Sequence, residues 1–164
     1  MRAKKPLIIA IIVVIVCAGI FLFSKGEKCR YVKRVTGFDI SSCKILKSED
    51  THGGFLGDGE YILIADCGKD PHSPADLDGW KELPLPENIQ LIMYGPEPDE
   101  YDYSLAGEAG IPYIENGYYY FENRHPNAEK EDSSEDLFDL FSFNFSLALY
   151  DADKDMLYYY DIDT

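Results

Sequence analysis

The densest grouping of chemistry-bearing side chains in this chain is Glu49-Asp50-Thr51-His52-Gly53-Gly54-Phe55-Leu56-Gly57-Asp58-Gly59-Glu60. An imidazole among carboxylates supplies the groups used for general-base work and for metal ligation, so His52 with Asp50, Asp58 or Glu60 is the candidate catalytic or metal set. The four glycines let the backbone take positive φ and come close to a partner. The same composition also suits a tight hairpin loop in which His52 and Asp58 bond to backbone groups, and the sequence leaves both readings open.

Other groupings offer less. Asp151, Asp153 and Asp155 have the spacing that begins a calcium loop, but Met156 and Ile162 stand where Gly and Glu are required, so the segment reads as a solvated hairpin turn. His72 and His125 each lie beside a proline, and no local spacing joins them to His52 in a zinc site. There is no CxxC, no serine nucleophile elbow and no phosphate-binding glycine loop, so no metal site and no cofactor is expected. Tyr118, Tyr120, Tyr158 and Tyr160 belong to two tyrosine triplets on expected strands, where exposed rings would stack on sugars or dock a protein.

The elements that must position these residues are mostly strands. Phe143, Phe145, Leu147 and Leu149 alternate with Ser142, Asn144, Ser146 and Ala148, which predicts a half-buried strand. Residues 151–155 then turn the chain into a second strand over Met156 to Ile162. Asn116-Gly117 predicts a hairpin between 111–115 and 118–123. A further hairpin centred near Phe55 would join 42–47 to 60–67, setting Cys43 opposite Cys67, and another strand is expected near 89–94. Helices are expected over 74–83, where Ser73 caps and Pro74 starts the first turn, and as a short turn over 134–140. The expectation is a mainly β fold of α+β type, an antiparallel sheet or sandwich of about seven strands with one or two short helices.

Ahead of this domain lies a different kind of chain. Residues 1–6 form a short basic tail, 7–23 carry no charged residue, and 24–37 form a basic linker with Lys25, Lys28, Arg30, Lys33 and Arg34. Seventeen apolar residues rise about 25 Å as a helix, enough to span with snorkelling flanks, so 7–23 is expected to be a single-pass transmembrane anchor. More basic residues follow the span than precede it, which argues for a cytoplasmic domain. The short tail and export-signal layout favour the opposite, and the 38–164 domain is expected to be extracytoplasmic at the cell membrane.

From position 35 onward the chain has 29 acidic and 7 basic residues, a formal charge of −22. Such a surface repels phosphate backbones, which excludes nucleic acid, and it suits a cationic protein, peptide or glycan. Three cysteines follow the span, so at most one internal disulfide forms. Cys43 with Cys67 is the pair the hairpin register permits, and two reduced core cysteines are the alternative.

THGGFLGDGE, WKELPLPENIQLIMYG, ENGYYYFENRH and FNFSLALYDADKDMLYYYDIDT, together with the amino-terminal apolar segment, resemble a functionally uncharacterised family of small secreted or membrane-anchored proteins of Gram-positive bacteria. The resemblance implies location and a shared fold and carries over no catalytic residue. Where other members place a second histidine this chain has Leu56, against a two-histidine metal site. The expected function is a membrane-anchored extracytoplasmic interaction module binding a protein, peptide or glycan. The alternative is a small hydrolase or metal-dependent enzyme using His52, Asp50 and Asp58.

Overall fold

A computed structural model describes residues 4–53, 57–68, 73–96, 104–130, 133–135 and 137–164. Its elements are α1 (Lys4–Thr36), β1 (Lys44–Asp50), β2 (Gly59–Asp66), β3 (Trp80–Glu82), α2 (Glu87–Tyr94), α3 (Leu105–Ala109), β4 (Gly117–Asn123), β5 (Asn144–Asp151) and β6 (Met156–Asp163). The strands form one antiparallel sheet in the order β1-β2-β6-β5-β4-β3. The fold is therefore α+β, with six strands among the described residues and not the seven expected.

The difference in strand number has local causes. Residues 89–94, expected as a strand, belong to α2, which buries Ile89, Met93 and Tyr94 at helical spacing behind Glu87 in its first turn. The segment 111–115 is not a strand. Pro112 offers no backbone donor, and β4 pairs instead with β3 and β5, while Asn116 stays beside the 151–155 turn through Ala152 N–H to its carbonyl. The helix expected over 74–83 is reduced to a single 3-10 turn, Pro74–Asp76, capped by Ser73. Gly79 at φ +80° redirects the chain into β3, and a Cβ there would sit 2.9 Å from the Tyr120 ring.

Alternation along the strands sorts side chains onto two buried faces, so the sheet is one layer between helices and not half of a sandwich. Ile62, Tyr119, Phe121, Phe145, Leu147, Leu149, Tyr158, Tyr160 and Ile162 face α2 and α3. Tyr61, Leu63, Ala65, Ala148, Tyr150, Leu157 and Tyr159 form the other face with Cys29 and Val32 of α1 and with Phe38 and Ile40 just beyond it. Ser146 and Ala148, read from sequence as the polar side of a half-buried strand, are fully buried because α1 covers them.

Residues 24–36, expected to be linker, continue α1 without a break, and the helix ends where Gly37 adopts φ +76° and donates to the Lys33 carbonyl at 2.9 Å. Trp80 Nε1 donates to the Thr36 carbonyl at 2.7 Å and Phe38 packs against Trp80 and Tyr150, which fixes the helix end on the sheet. Along the first part of α1, among the described side chains, Ile9, Ile11 to Val16, Ile20, Leu22 and Phe23 are each more than half exposed. Among the described residues, no helix is long and apolar enough to cross a membrane.

Candidate functional site

On β6 the positions that face α1 read Leu157, Tyr159, Asp161, Asp163, so an apolar stripe ends in two carboxylates. Asp161 is 1% exposed. A carboxylate so buried requires partners, and it has three. The Tyr31 hydroxyl of α1 donates to it at 2.5 Å, the Tyr159 hydroxyl donates at 2.9 Å, and the Arg124 guanidinium pairs with its other oxygen. Arg124 follows β4 and is held by its own N–H to the Asn144 carbonyl at 2.7 Å; its Nη1 also pairs with Asp163 at 3.1 Å.

The proton affinities follow from these contacts. Burial pushes the Tyr31 hydroxyl up to about 12, reinforced by its bond to Asp161. Burial also raises Tyr159, with the Asp161 charge adding to it. Burial works to lower Arg124, but the Asp161 and Asp163 charges outweigh it and hold the guanidinium above its ordinary value.

Beside this network a cavity of about 460 Å³ opens along the seam between α1 and the sheet. Helix α1 contributes Glu27, Lys28 and Tyr31, β1 contributes Ser48 and Asp50, and β2 contributes Tyr61. Asp163 closes the β6 end, and His52 enters from the loop after β1. His52 is placed by its own neighbourhood. Asp50 Oδ1 accepts from the His52 backbone N–H at 3.0 Å and lies 2.8 Å from Nδ1, while Thr51 exchanges backbone and hydroxyl bonds with Glu60 across the hairpin. Gly59 is required by close approach, since a Cβ there would fall 2.5 Å from the His52 backbone. The other ring nitrogen, Nε2, lies 3.4 Å from Asp163 Oδ2, yet it is shut off from solvent and makes no hydrogen bond.

Of the residues singled out from sequence, His52 and Asp50 therefore meet in the cavity, whereas Asp58 is exposed and does not line it. Among the described residues, no three His, Cys, Asp or Glu side chains are grouped to hold a metal. His52 makes no hydrogen bond to a hydroxyl or thiol among them, and Ser48 is paired with the Tyr61 hydroxyl at 3.3 Å. His125 is buried elsewhere, with Nδ1 accepting from Asn127 N–H and its ring against Phe141, and His72 lies outside the described residues.

The tyrosine platform does not form. Tyr158 and Tyr160 are buried under α2 and α3, and Tyr118 and Tyr120 are half-buried on the opposite face, because helices cover both sides of the sheet. Cys43 and Cys67 are joined by a disulfide across the far end of the β1–β2 hairpin, and Cys29 remains a buried thiol raised by burial.

Arg124, Asp161, Asp163, Tyr31 and Tyr61 were not anticipated. Two signals bore on them: Arg124 is the sole arginine after Arg34, and Asp161 and Asp163 alternate within an otherwise apolar strand, where a carboxylate calls for a cation. Comparison of the chain with known protein families, curated proteins and solved structures finds no match.

Proposed function

We propose that the protein is a membrane-anchored, extracytoplasmic interaction module that binds a cationic group of a protein, peptide or glycan in the α1–sheet cavity and catalyses no reaction. The carrying observation is the state of His52. Its Nδ1 is bound within its own loop by Asp50, and its Nε2 faces the Asp163 carboxylate. Several features support the setting. The row of exposed apolar side chains from Ile9 to Phe23 needs a non-aqueous covering, and lipid supplies one. The Cys43–Cys67 disulfide suits an oxidising compartment. Glu27 and Lys28 lie about one helical turn beyond Phe23, so the cavity opens close to the bilayer surface.

A second reading draws on the same Asp50–His52 contact, which orients an imidazole as hydrolases and metal-dependent enzymes do. The two are separated by His52→Ala. A structural His52 predicts a lower melting temperature, because Asp50 loses the ring nitrogen it holds; unchanged melting with loss of a hydrolytic activity would overturn the module. For location, protease added to intact cells should digest the domain. Digestion only after the cells are opened would refute the external placement.

A further inference from the structure

A second cavity, of about 430 Å³, shares no residue with the one beside His52. Leu22, Lys25, Gly26, Arg30 and Lys33, all on one face of α1, form one wall, and Asp39 and Ser41 form the other. The helical wall is basic. Lys33 is committed within it: its Nζ pairs with Asp39 Oδ2 at 2.6 Å, and this bond, with those from Ser41, holds the Asp39 carboxyl down to about 2. Lys25 Nζ reaches a carbonyl, that of Ser41, at 3.4 Å, and Arg30 has a 3.9 Å pairing with Glu27 in which both side chains are exposed, a contact of little strength. Lys25, Arg30 and Lys33 against Asp39 leave the cavity two positive charges in excess. Over residues 24–41 five basic side chains stand against Glu27 and Asp39, a charge of +3 in a protein of net charge −15.

Space and depth select the kind of anion. A Cβ at Gly26 would meet nothing within 4 Å, so the floor between Lys25 and Arg30 is bare helix with open room above it. Leu22 and Phe23, 66% and 65% exposed, end the apolar run of α1 at the mouth of this cavity. At the helical rise Lys25 lies about 3 Å and Arg30 about 10 Å beyond Phe23 along the axis, whereas lipid headgroups occupy roughly 5 to 7 Å outside the hydrocarbon. Helical side chains lean towards the amino terminus, and Arg30 does so here, its Nε donating to the Gly26 carbonyl one turn back at 3.2 Å. With the apolar run in lipid, both cations therefore come to the depth of the phosphate layer.

We infer that this cavity binds the phosphodiester headgroup of an anionic phospholipid from the bilayer that holds α1, with Lys25 and Arg30 on the phosphate oxygens and Leu22 against the start of an acyl chain. The inference rests on the membrane-anchored reading and adds a lipid site to it. A phosphatidylcholine headgroup carries its own cation, which two excess positive charges disfavour, and a free phosphate ion makes no use of Leu22. The acidic domain repels polyanions at long range, but exposed charges more than about 8 Å away are screened at physiological salt, and Lys33 already neutralises the carboxylate inside the cavity.

The full chain is assembled in nanodiscs of phosphatidylcholine alone and of phosphatidylcholine mixed with phosphatidylglycerol. Native mass spectrometry counts the lipids that stay on the released protein, and the Arg30 Nε–H resonance reports on the site. The wild-type protein should retain phosphatidylglycerol over phosphatidylcholine, and the Arg30 resonance should shift in the mixed discs. Lys25→Gln and Arg30→Gln should each lower the preference about fivefold, the effect of one cation at a lipid surface. Gly26→Leu should lower it too, by filling the floor with no change of charge. Arg34→Gln removes the same charge outside the cavity and should change the preference far less. The Arg30 side chain is 72% exposed, so its replacement leaves the fold intact.

Equal retention of the two lipids by the wild-type protein, or equal effects of Arg30→Gln and Arg34→Gln, would overturn the inference. So would an Arg30 shift produced in full by inorganic phosphate in pure phosphatidylcholine discs, which marks a site for a free anion. Flotation with vesicles separates these failures from that of the anchor. A chain that floats with phosphatidylcholine vesicles yet shows no lipid preference loses the lipid site and keeps the anchor, whereas a chain that floats with no vesicle loses both.

Discussion

Replacing Arg124 with alanine takes away the cation that touches Asp161 among the described residues, and it does so where the carboxylate has no access to water: its side chain is 2% exposed. Removing one partner of a buried ion pair costs about 3 to 5 kcal/mol, because the remaining charge stays desolvated. The Tyr31 and Tyr159 hydroxyls continue to donate to Asp161 at 2.5 and 2.9 Å, which sets the expectation at the lower end, about 3 kcal/mol. For a chain of this size each kcal/mol moves the midpoint by roughly 2 to 4 °C, so Arg124→Ala should melt roughly 6 to 12 °C below wild type by circular dichroism. The second step isolates the cause. Adding Asp161→Asn to Arg124→Ala removes the stranded charge and should recover about 2 kcal/mol, a coupling that independent sites do not show. A melting temperature within about 2 °C of wild type for Arg124→Ala, or no recovery in the double variant, would refute the claim that buried Asp161 depends on this cation.

Two further outcomes follow from the same packing. Tyr31 and Tyr150 have hydroxyls pushed up to about 12, each first by burial and then by a bond to a carboxylate, Asp161 and Asp155 respectively. A folded value above the unfolded one of about 10 stabilises below pH 10 and is lost as pH rises towards 12, so tyrosinate absorbance at 295 nm should rise together with loss of far-ultraviolet ellipticity in that window; ionisation with the ellipticity intact would count against it. On the proposed membrane anchoring, deleting residues 1–23 should release the protein from membranes with its melting temperature nearly unchanged. Deleting 1–36 should cost at least about 3 kcal/mol by stripping Cys29 and Val32 from the sheet, and aggregation should be visible by light scattering.

The legible part of the fold was the part written in period two. Phe145, Leu147 and Leu149 do share a face, and the β5–β6 turn does rest on Asp151, whose Oδ1 accepts from the Asp153 and Lys154 N–H groups. The identity of the opposite face was hidden because its cover comes from elsewhere. Cys29 and Val32 stand three apart, an apolar helical stripe, but Lys28, Arg30, Lys33 and Arg34 surround them and give the segment the look of a solvated linker. Once that stripe docks, Ser146 and Ala148 must be small and buried. Residues 89–94 failed for another reason: a six-residue segment with five apolar side chains fits a strand or a helix, and periodicity alone does not choose between them.

The site divides along the same line. Asp50 and His52 are two residues apart, and a contact that short is set by local turn geometry, so their pairing was open to inspection. What gives the pair its meaning is Asp163, which arrives on the last strand, steadied by an arginine from the end of β4 and a tyrosine network reaching 130 residues back to α1. No spacing rule joins those positions; the sheet order does, by placing β6 between β2 and β5 so that Gly59 lies opposite Asp163 and the His52 loop closes over it. Asp58, equally close to His52 in sequence, falls on the solvent side of the same hairpin. The carboxylate that faces His52 Nε2 is therefore chosen by topology. A substitution that shifts the β2–β6 register would abolish the approach of Asp163 to His52 while leaving every residue of the glycine-rich loop in place.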